Sequence, residues 1–335
     1  MPNGICAKDA AICALENAHS SCTERIAMEI IDDLSKANPG RSTVLTIGSF
    51  DGVHLGHRFL IRQVTRRARE TGLLSCLVTF YPHPRMVLFP HSDTKYITTP
   101  GEQAALLEKL GIDLLAILRF DLELARTSAE GFIRKVHSSL RMKEIWVGVD
   151  FTFGRDREGD LALLRRMGKE MDFAVHVVRP ICAGGEAISS TRIRSLLREG
   201  RVKEAAELLG RFYRLAGKVV RGADRGRSLG FPTANLEVRA ERAVPARGVY
   251  AVYVLLGEER FQGVANIGVR PSFGGGKYTV EAHIFDFDGD LYGQDIVVEF
   301  VERLRSERMF KSVEELVSQI GSDVRRAREI LAKSG

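Results

Sequence analysis

The hydrophobic pattern changes rhythm partway along the chain. Thr43–Phe50 (TVLTIGSF) is a short apolar run rich in β-branched residues and closed by Asp51-Gly52, which predicts a buried strand. Leu73–Phe80, Leu114–Phe120 and Glu144–Val149 repeat the pattern. Helical spacing intervenes at His57–Arg69, Gly101–Leu110 and Ser128–Ser138. Strands alternating with helices predict an α/β domain whose parallel sheet is covered on both faces. Ligands of such sheets bind beyond the C-terminal strand ends. Upstream, Ala10–Leu34 is Ala-rich, with Ile12, Leu15, Ile26, Met28 and Ile30 among charged residues. It predicts a helical extension within residues 1–42, ended by Asn38-Pro39-Gly40.

Ser195–Leu209 predicts two short helices broken at Gly200, and a domain boundary follows. Beyond it, Arg214–Arg221, Gly248–Leu255, Phe261–Ile267, Thr279–Phe285 and Gln294–Leu304 alternate with Gly- and Asp-rich turns. Consecutive strands without intervening helices predict a small antiparallel barrel. Ser312–Ile320 and Val324–Lys333 predict C-terminal helices. The expected organisation is therefore an extension over 1–42, an α/β domain over 43–209 and a barrel domain over 210–335.

Composition narrows the function. The 335 residues are 44% hydrophobic, enough for two cores, and carry a formal net charge of +6. There is no dense Lys/Arg tail and aromatics are few, so small anionic substrates are expected rather than nucleic acid. The odd cysteine set, Cys6, Cys13, Cys22, Cys76 and Cys182, has no pair at metal-ligand spacing and predicts reduced thiols. No apolar run approaches membrane-helix length, and the N-terminus lacks a basic region followed by an apolar core, so no membrane partner and a cytoplasmic setting are expected. A monomer or weak homo-oligomer is expected.

Two segments carry candidate phosphate chemistry. Gly48-Ser49-Phe50-Asp51-Gly52-Val53-His54-Leu55-Gly56-His57 follows a strand and opens a helix, a geometry that turns backbone N–H groups toward an anion. His54 and His57 share a helix face, and His83 stands at another strand end in Pro82-His83-Pro84. Imidazoles there can donate to phosphate oxygens, and a zinc site is the competing reading. Asp150, after a further strand, fits a ribose contact or a structural turn. Ser190, Thr191 and Arg194 at a helix start fit a phosphate or an ordinary cap. Downstream, Gly226, Arg227, Gly230, Phe231, Pro232, Thr233 and Asn235 form the second segment. Its glycines free the backbone, its arginines suit phosphate, and Thr233 and Asn235 offer oxygens to a hard Mg²⁺ ion. A tight barrel turn with a basic surface is the alternative. Glu281 and His283 share one face of a strand, opposite Val280, Ala282 and Ile284. An inward Glu281 near a barrel opening would be a general base, or else a salt-bridging strand residue.

In combination these motifs resemble a known family. The His-x-Gly-His turn is similar to that of the cytidylyltransferase-like nucleotidyltransferases. With Pro82-His83-Pro84, Gly148-x-Asp150-Phe151-x-Phe153-Gly154 and Ile188-Ser189-Ser190-Thr191-x-Ile193-Arg194, the first half resembles the adenylyltransferase module of bacterial bifunctional riboflavin kinase/FAD synthetases. Gly222-x-x-x-Gly226-Arg227-x-Leu229-Gly230-Phe231-Pro232-Thr233-Ala234-Asn235 resembles the flavokinase signature, joined by Asn266-Ile267-Gly268-x-Arg270-Pro271, Glu281-x-His283 and Tyr292-Gly293. The resemblance implies a Rossmann-like first domain and a flavokinase-type six-stranded barrel with terminal helices. It implies two reactions, riboflavin plus ATP to FMN and ADP, then FMN plus ATP to FAD and diphosphate. In the first domain it gives ATP-phosphate contacts to His54, His57, Ser190, Thr191 and Arg194, with Gly48, Phe50, Asp51, Gly52, His83 and Asp150 around the nucleotide. In the second, it makes Glu281 the base, has Thr233 and Asn235 position Mg²⁺, and puts Asn266, Arg270, Arg303, Arg305, Glu307 and Phe310 near flavin and nucleotide. Tyr81 stands where the family commonly carries an acidic residue. Two alternatives follow: a kinase with a weakened or inactive adenylyltransferase half, or a nucleotidyltransferase half acting on another phosphorylated acceptor.

Overall fold

The computed structural model describes residues 27–222, 230–270 and 277–334. Six strands build the first sheet: β1 (Glu29–Ile31), β2 (Thr43–Ile47), β3 (Leu74–Tyr81), β4 (Leu114–Arg119), β5 (Met142–Gly148) and β6 (Ala174–Val178). Their order is β1-β4-β3-β2-β5-β6 and every pairing is parallel. Every residue of β2 is buried, because a strand in the middle of a doubly covered sheet has no wet face. Helices α1 (Leu55–Thr71), α2 (Pro84–Leu88), α3 (Pro100–Lys109), α4 (Leu122–Ala125), α5 (Ala129–Leu140) and α6 (Leu161–Met171) connect the strands. One core gathers Leu45, Val78, Ala116, Ile133, Val136, Ile145 and Leu164, and a second gathers Ile61, Leu77, Leu107 and Leu115. Burying one such Leu, Ile or Val side chain contributes about 1.5–3 kcal/mol.

Two expectations are corrected here. The helical pattern read over Ala10–Leu34 gives way at Glu29–Ile31 to a strand that pairs with the edge of β4, and Leu34–Lys36 is a 3-10 turn. Ile31 and Leu34 are both buried. Pairing with the open backbone edge of β4 thus outweighs local helix propensity. The part of that extension within residues 1–26 lies outside the described residues. The apolar runs of the sequence predict four strands, whereas the sheet also includes β6, reached through α6.

The second half is a closed barrel. Its strands are β9 (Tyr213–Val220), β10 (Ala234–Glu237), β11 (Gly248–Leu256), β12 (Glu259–Arg270), β13 (Lys277–Ile284) and β14 (Asp295–Arg305), in the order β10-β13-β12-β11-β14-β9. All pairs are antiparallel. Two-residue strands β7 (Cys182–Ala183) and β8 (Glu186–Ala187) form a hairpin ahead of α7 (Ser190–Glu199) and α8 (Val202–Leu209). Gly200, in the left-handed region at φ 78°, ends α7 where the sequence places a break. The two C-terminal helical stretches are in fact one helix, α9 (Val313–Leu331), of 19 residues. Gly321 lies inside it, where burial of Ala327 and Leu331 against Val249, Ala251, Tyr253 and Val301 outweighs the glycine's cost of about 1 kcal/mol.

By spatial proximity the chain divides into two units. Among the described residues, those up to Thr94 join Thr98–Ile188, while Lys95–Ile97 join those from Ser189 onward. This division falls ahead of α7 and α8, whereas the sequence reading drew its boundary behind them.

Candidate active sites

In the first unit the strand order reverses at β2, whose neighbours β3 and β5 continue in opposite directions along the sheet. Such a switch point opens a crevice beyond the C-terminal strand ends. The Gly48–His57 turn leaves β2 there, His83 follows β3 and Asp150 follows β5. Three of the predicted nucleotide-binding groups therefore stand on adjacent strand ends.

The turn holds an unusual backbone. Phe50 has φ 46°, Gly52 φ 84° and Val53 φ 39°, so three residues in four are left-handed and two of them carry side chains. The Phe50 ring covers Gly48, where an added Cβ would lie 3.1 Å from it, and meets the His57 ring edge-on at 5.0 Å. His54 caps α1: its Nδ1 accepts from the His57 backbone N–H at 3.2 Å. That bond fixes the neutral ring's proton on Nε2, the form able to donate to a phosphate oxygen. The two imidazoles stack at 3.6 Å. A Cβ on Gly56 would come within 3.2 Å of the His54 ring, which accounts for the glycine between them. His83 repeats the device, capping α2 by accepting from the Arg85 N–H at 3.1 Å on Nδ1. Tyr81 ends β3 and is 39% exposed. Among the described residues no group of three or more His, Cys, Asp or Glu could hold a metal ion, so the zinc reading has no cluster to rest on there.

Asp51, expected beside the nucleotide, also braces the turn from within. It is 3% exposed, and its Oδ1 accepts from the Thr98 backbone N–H at 3.0 Å and from the Thr98 hydroxyl at 3.2 Å. The same hydroxyl accepts from the Gly52 N–H at 3.0 Å. The Ser49 carbonyl accepts from the Thr79 hydroxyl at 3.1 Å and from Gln103 Nε2 at 2.8 Å. Thr98, Thr79 and Gln103 escaped the sequence reading. A signal was present in Thr99-Pro100-Gly101-Glu102, a capping-box pattern formed in full at the start of α3.

In the second unit the strand register assembles a polar row. Asn235 on β10 and Asn266 on β12 both pair with Glu281 on β13. Directly opposed residues of antiparallel strands point to the same face, so a carboxylate lies between two carboxamides. The inward orientation expected for Glu281 is corrected. Val280, Ala282 and Ile284 fill the buried side, leaving Glu281 and His283 half-buried on the outer face. His283 Nδ1 donates to the Pro232 carbonyl at 2.8 Å, and its ring meets Phe231 edge-on at 5.5 Å. These contacts fasten Phe231-Pro232-Thr233 beside the row. An added Cβ on Gly222 would fall 2.1 Å from Asn235 Nδ2, so that glycine leaves room for the carboxamide. A Cβ on Gly268 would lie 2.8 Å from Glu307 Oε1, which brings Glu307 to the same end of β12. Gly230 is left-handed at φ 82°. Gly226, Arg227 and the Arg270 side chain lie outside the described residues.

Thr233 and Asn235 offer a hydroxyl and an amide oxygen, donors that fit Mg²⁺, a hard cation.

Other predicted residues have structural partners. Arg303 donates to the Glu199 and Arg247 carbonyls. Arg305 forms a bidentate pair with buried Asp323 at 2.8–3.1 Å and lies over the Phe310 ring. Ser190, Thr191 and Arg194 belong to α7 in the second unit; Ser189 caps that helix, and Arg194 Nε donates to the Lys95 carbonyl at 2.7 Å.

Comparison with known proteins identifies the family of each half. The family model for FAD synthetase matches residues 36–192, and that for riboflavin kinase matches residues 209–331. The bifunctional riboflavin kinase/FMN adenylyltransferase of Escherichia coli K12 is 40% identical over 301 residues, covering 89% of this chain and 96% of the relative. That of Pseudomonas fluorescens is 39% identical, covering 92% and 99%. A crystal structure described as a macrolide-efflux protein from Streptococcus pneumoniae superposes with a TM-score of 0.84 at 33% identity, covering 90% of this chain and 99% of that one. Among the described residues no helix is long and apolar enough to cross a membrane. With both halves matched in order and nearly the full length of its relatives covered, the chain belongs to the bifunctional riboflavin kinase/FMN adenylyltransferase family.

Proposed function

We infer that this protein is a bifunctional flavin transferase, making FMN and ADP from riboflavin and ATP, then FAD and diphosphate from FMN and ATP. Family membership over both halves supports the two activities. The observation that supports the kinase site is the Asn235–Glu281–Asn266 row on the outer face of the barrel. Glu281 takes the proton of the ribityl hydroxyl as its oxygen attacks the γ-phosphorus, and ADP leaves. Asn235 and Asn266 hold the carboxylate side chain in register. Thr233 and Asn235 would hold Mg²⁺, which when bound neutralises phosphate charge.

The adenylyltransferase site is assigned to the switch-point turn. A phosphate oxygen of FMN attacks the α-phosphorus of ATP, and diphosphate leaves. His54 and His57 donate to the phosphates as negative charge builds on the leaving group. His83 offers a third Nε2–H donor, and Asp150 is assigned to the ribose. Asp51 acts through the turn rather than on the nucleotide, a role supported by its bonds to Thr98. The proposed domains are 43–209 for adenylyl transfer and 210–335 for phosphoryl transfer, a boundary supported by the riboflavin kinase match beginning at residue 209. A cytoplasmic location and a monomer or weak homo-oligomer complete the reading.

A time course from riboflavin, ATP and Mg²⁺ tests the function. FMN should accumulate first and FAD follow. FMN without FAD, even when FMN is supplied directly, would instead support the kinase-only alternative, to which Tyr81 in place of an acidic residue lends weight. Formation of diphosphate only with another phosphorylated acceptor would redirect the first half.

A further inference from the structure

The Gly48–His57 turn keeps three left-handed residues within four, two of them non-glycine. A non-glycine residue there is strained and persists only where its surroundings enforce it. The Thr98 side chain helps to enforce this turn. The Thr98 hydroxyl both donates to Asp51 Oδ1 and accepts from the Gly52 N–H, while the Thr98 backbone N–H donates to the same Asp51 oxygen. Thr98 is 6% exposed and Asp51 3%, so the three bonds are shielded from water. Gln103 supports the strand side of the turn by donating to the Ser49 carbonyl. All of these groups lie in the first unit.

We propose that Thr98 is a positioning residue for adenylyl transfer, setting the turn that carries His54 and His57. It acts through Asp51 and Gly52 and touches neither nucleotide nor flavin. The inference rests on the assignment of the turn to the adenylyltransferase site.

The prediction separates geometry from stability. Thr98→Val keeps the shape, removes the hydroxyl, leaves the Gly52 N–H without that acceptor and strips one donor from a buried carboxylate. Its kcat for FMN to FAD should fall about 10- to 100-fold, the rate equivalent of losing a charged hydrogen bond and stranding its partner. The KM for ATP should change less than kcat. Thr98→Ser, which keeps the hydroxyl, should restore most of the rate. Riboflavin to FMN on the same polypeptide should keep its parent rate, a built-in check on folding. A Val variant that makes FAD within about twofold of the parent, or a Ser variant as slow as the Val variant, would overturn the proposal. Equal loss of both reactions would also overturn it, by showing a purely structural role. His57→Ala run alongside keeps two failures apart: if it retains FAD synthesis the turn is misassigned, whereas if it loses FAD synthesis while Thr98→Val keeps it, only the role of Thr98 is wrong.

Discussion

At the residue scale, several polar groups are buried and each has a structural reason. Both oxygens of Glu144 on β5 accept from Arg67 Nε at 2.9–3.0 Å, and His176 Nε2 stands 3.0 Å from Oε2. Burial pushes the Glu144 carboxyl up, but the Arg67 hydrogen bond and the charges of Arg67 and His176 outweigh it and hold it below the ordinary carboxylate range. A group lowered in the folded state stabilises the fold above its unfolded pKa, and that contribution is lost as pH falls through the folded value. Glu144→Gln should therefore lower the unfolding free energy by roughly 1 kcal/mol at neutral pH. The gap between variant and parent should begin to narrow in denaturation curves as pH falls below the ordinary Glu value of about 4.3 and close only below the lowered folded value; a gap that does not change with pH would show that packing, not charge, is responsible. Cys76 is fully buried, and burial raises its thiol far above the ordinary range. Native alkylation followed by peptide mapping should leave Cys76 unmodified until the protein is unfolded. Labelling of Cys76 in the native state would show that the first core opens.

At the element scale, the barrel depends on its terminal helix. Asp323 of α9 is 5% exposed and accepts a bidentate pair from Arg305 of β14 and a further bond from Gln319. Tyr253 of β11 donates to the Leu331 carbonyl at the end of the same helix. Asp323→Ala strands a mostly buried guanidinium and should destabilise the barrel by about 2 kcal/mol. A thermal or urea unfolding curve reads that directly, and an unchanged midpoint would remove α9 from the account of barrel stability. The sequence was clearest where an element's pattern was local. β2, β3, β4, β5 and the strands from β11 to β14 announce themselves by apolar runs, and α1 by its turn and amphipathic face. β1 and β10 are three and four residues long and exist because a neighbour offers an open edge. No local pattern marks such a strand. Glu281 shows the same limit: alternation put it opposite Val280 and Ala282, but which face of β13 is the barrel interior is decided only when the sheet closes. The candidate phosphate motifs were legible because they are contiguous. Thr98 and Gln103, about fifty positions away from the turn they hold, were not.

At the scale of the whole molecule, the proposed function has two unlike sites serve two unlike attacks. One uses a carboxylate to take a proton from an alcohol, and the barrel supplies it within a row of oxygen and amide groups. The other needs no base of that kind, since the FMN phosphate is already anionic, and the parallel sheet supplies donors at a strand-turn-helix junction. A lesion at one site should therefore spare the other reaction. The most direct measurement assays His57→Ala and Glu281→Ala with riboflavin and FMN as separate substrates. His57→Ala should lose FAD formation from FMN by about 100-fold or more while FMN formation from riboflavin survives, and Glu281→Ala should do the reverse. Loss of both activities in each variant, with the fold intact, would contradict the two-site account.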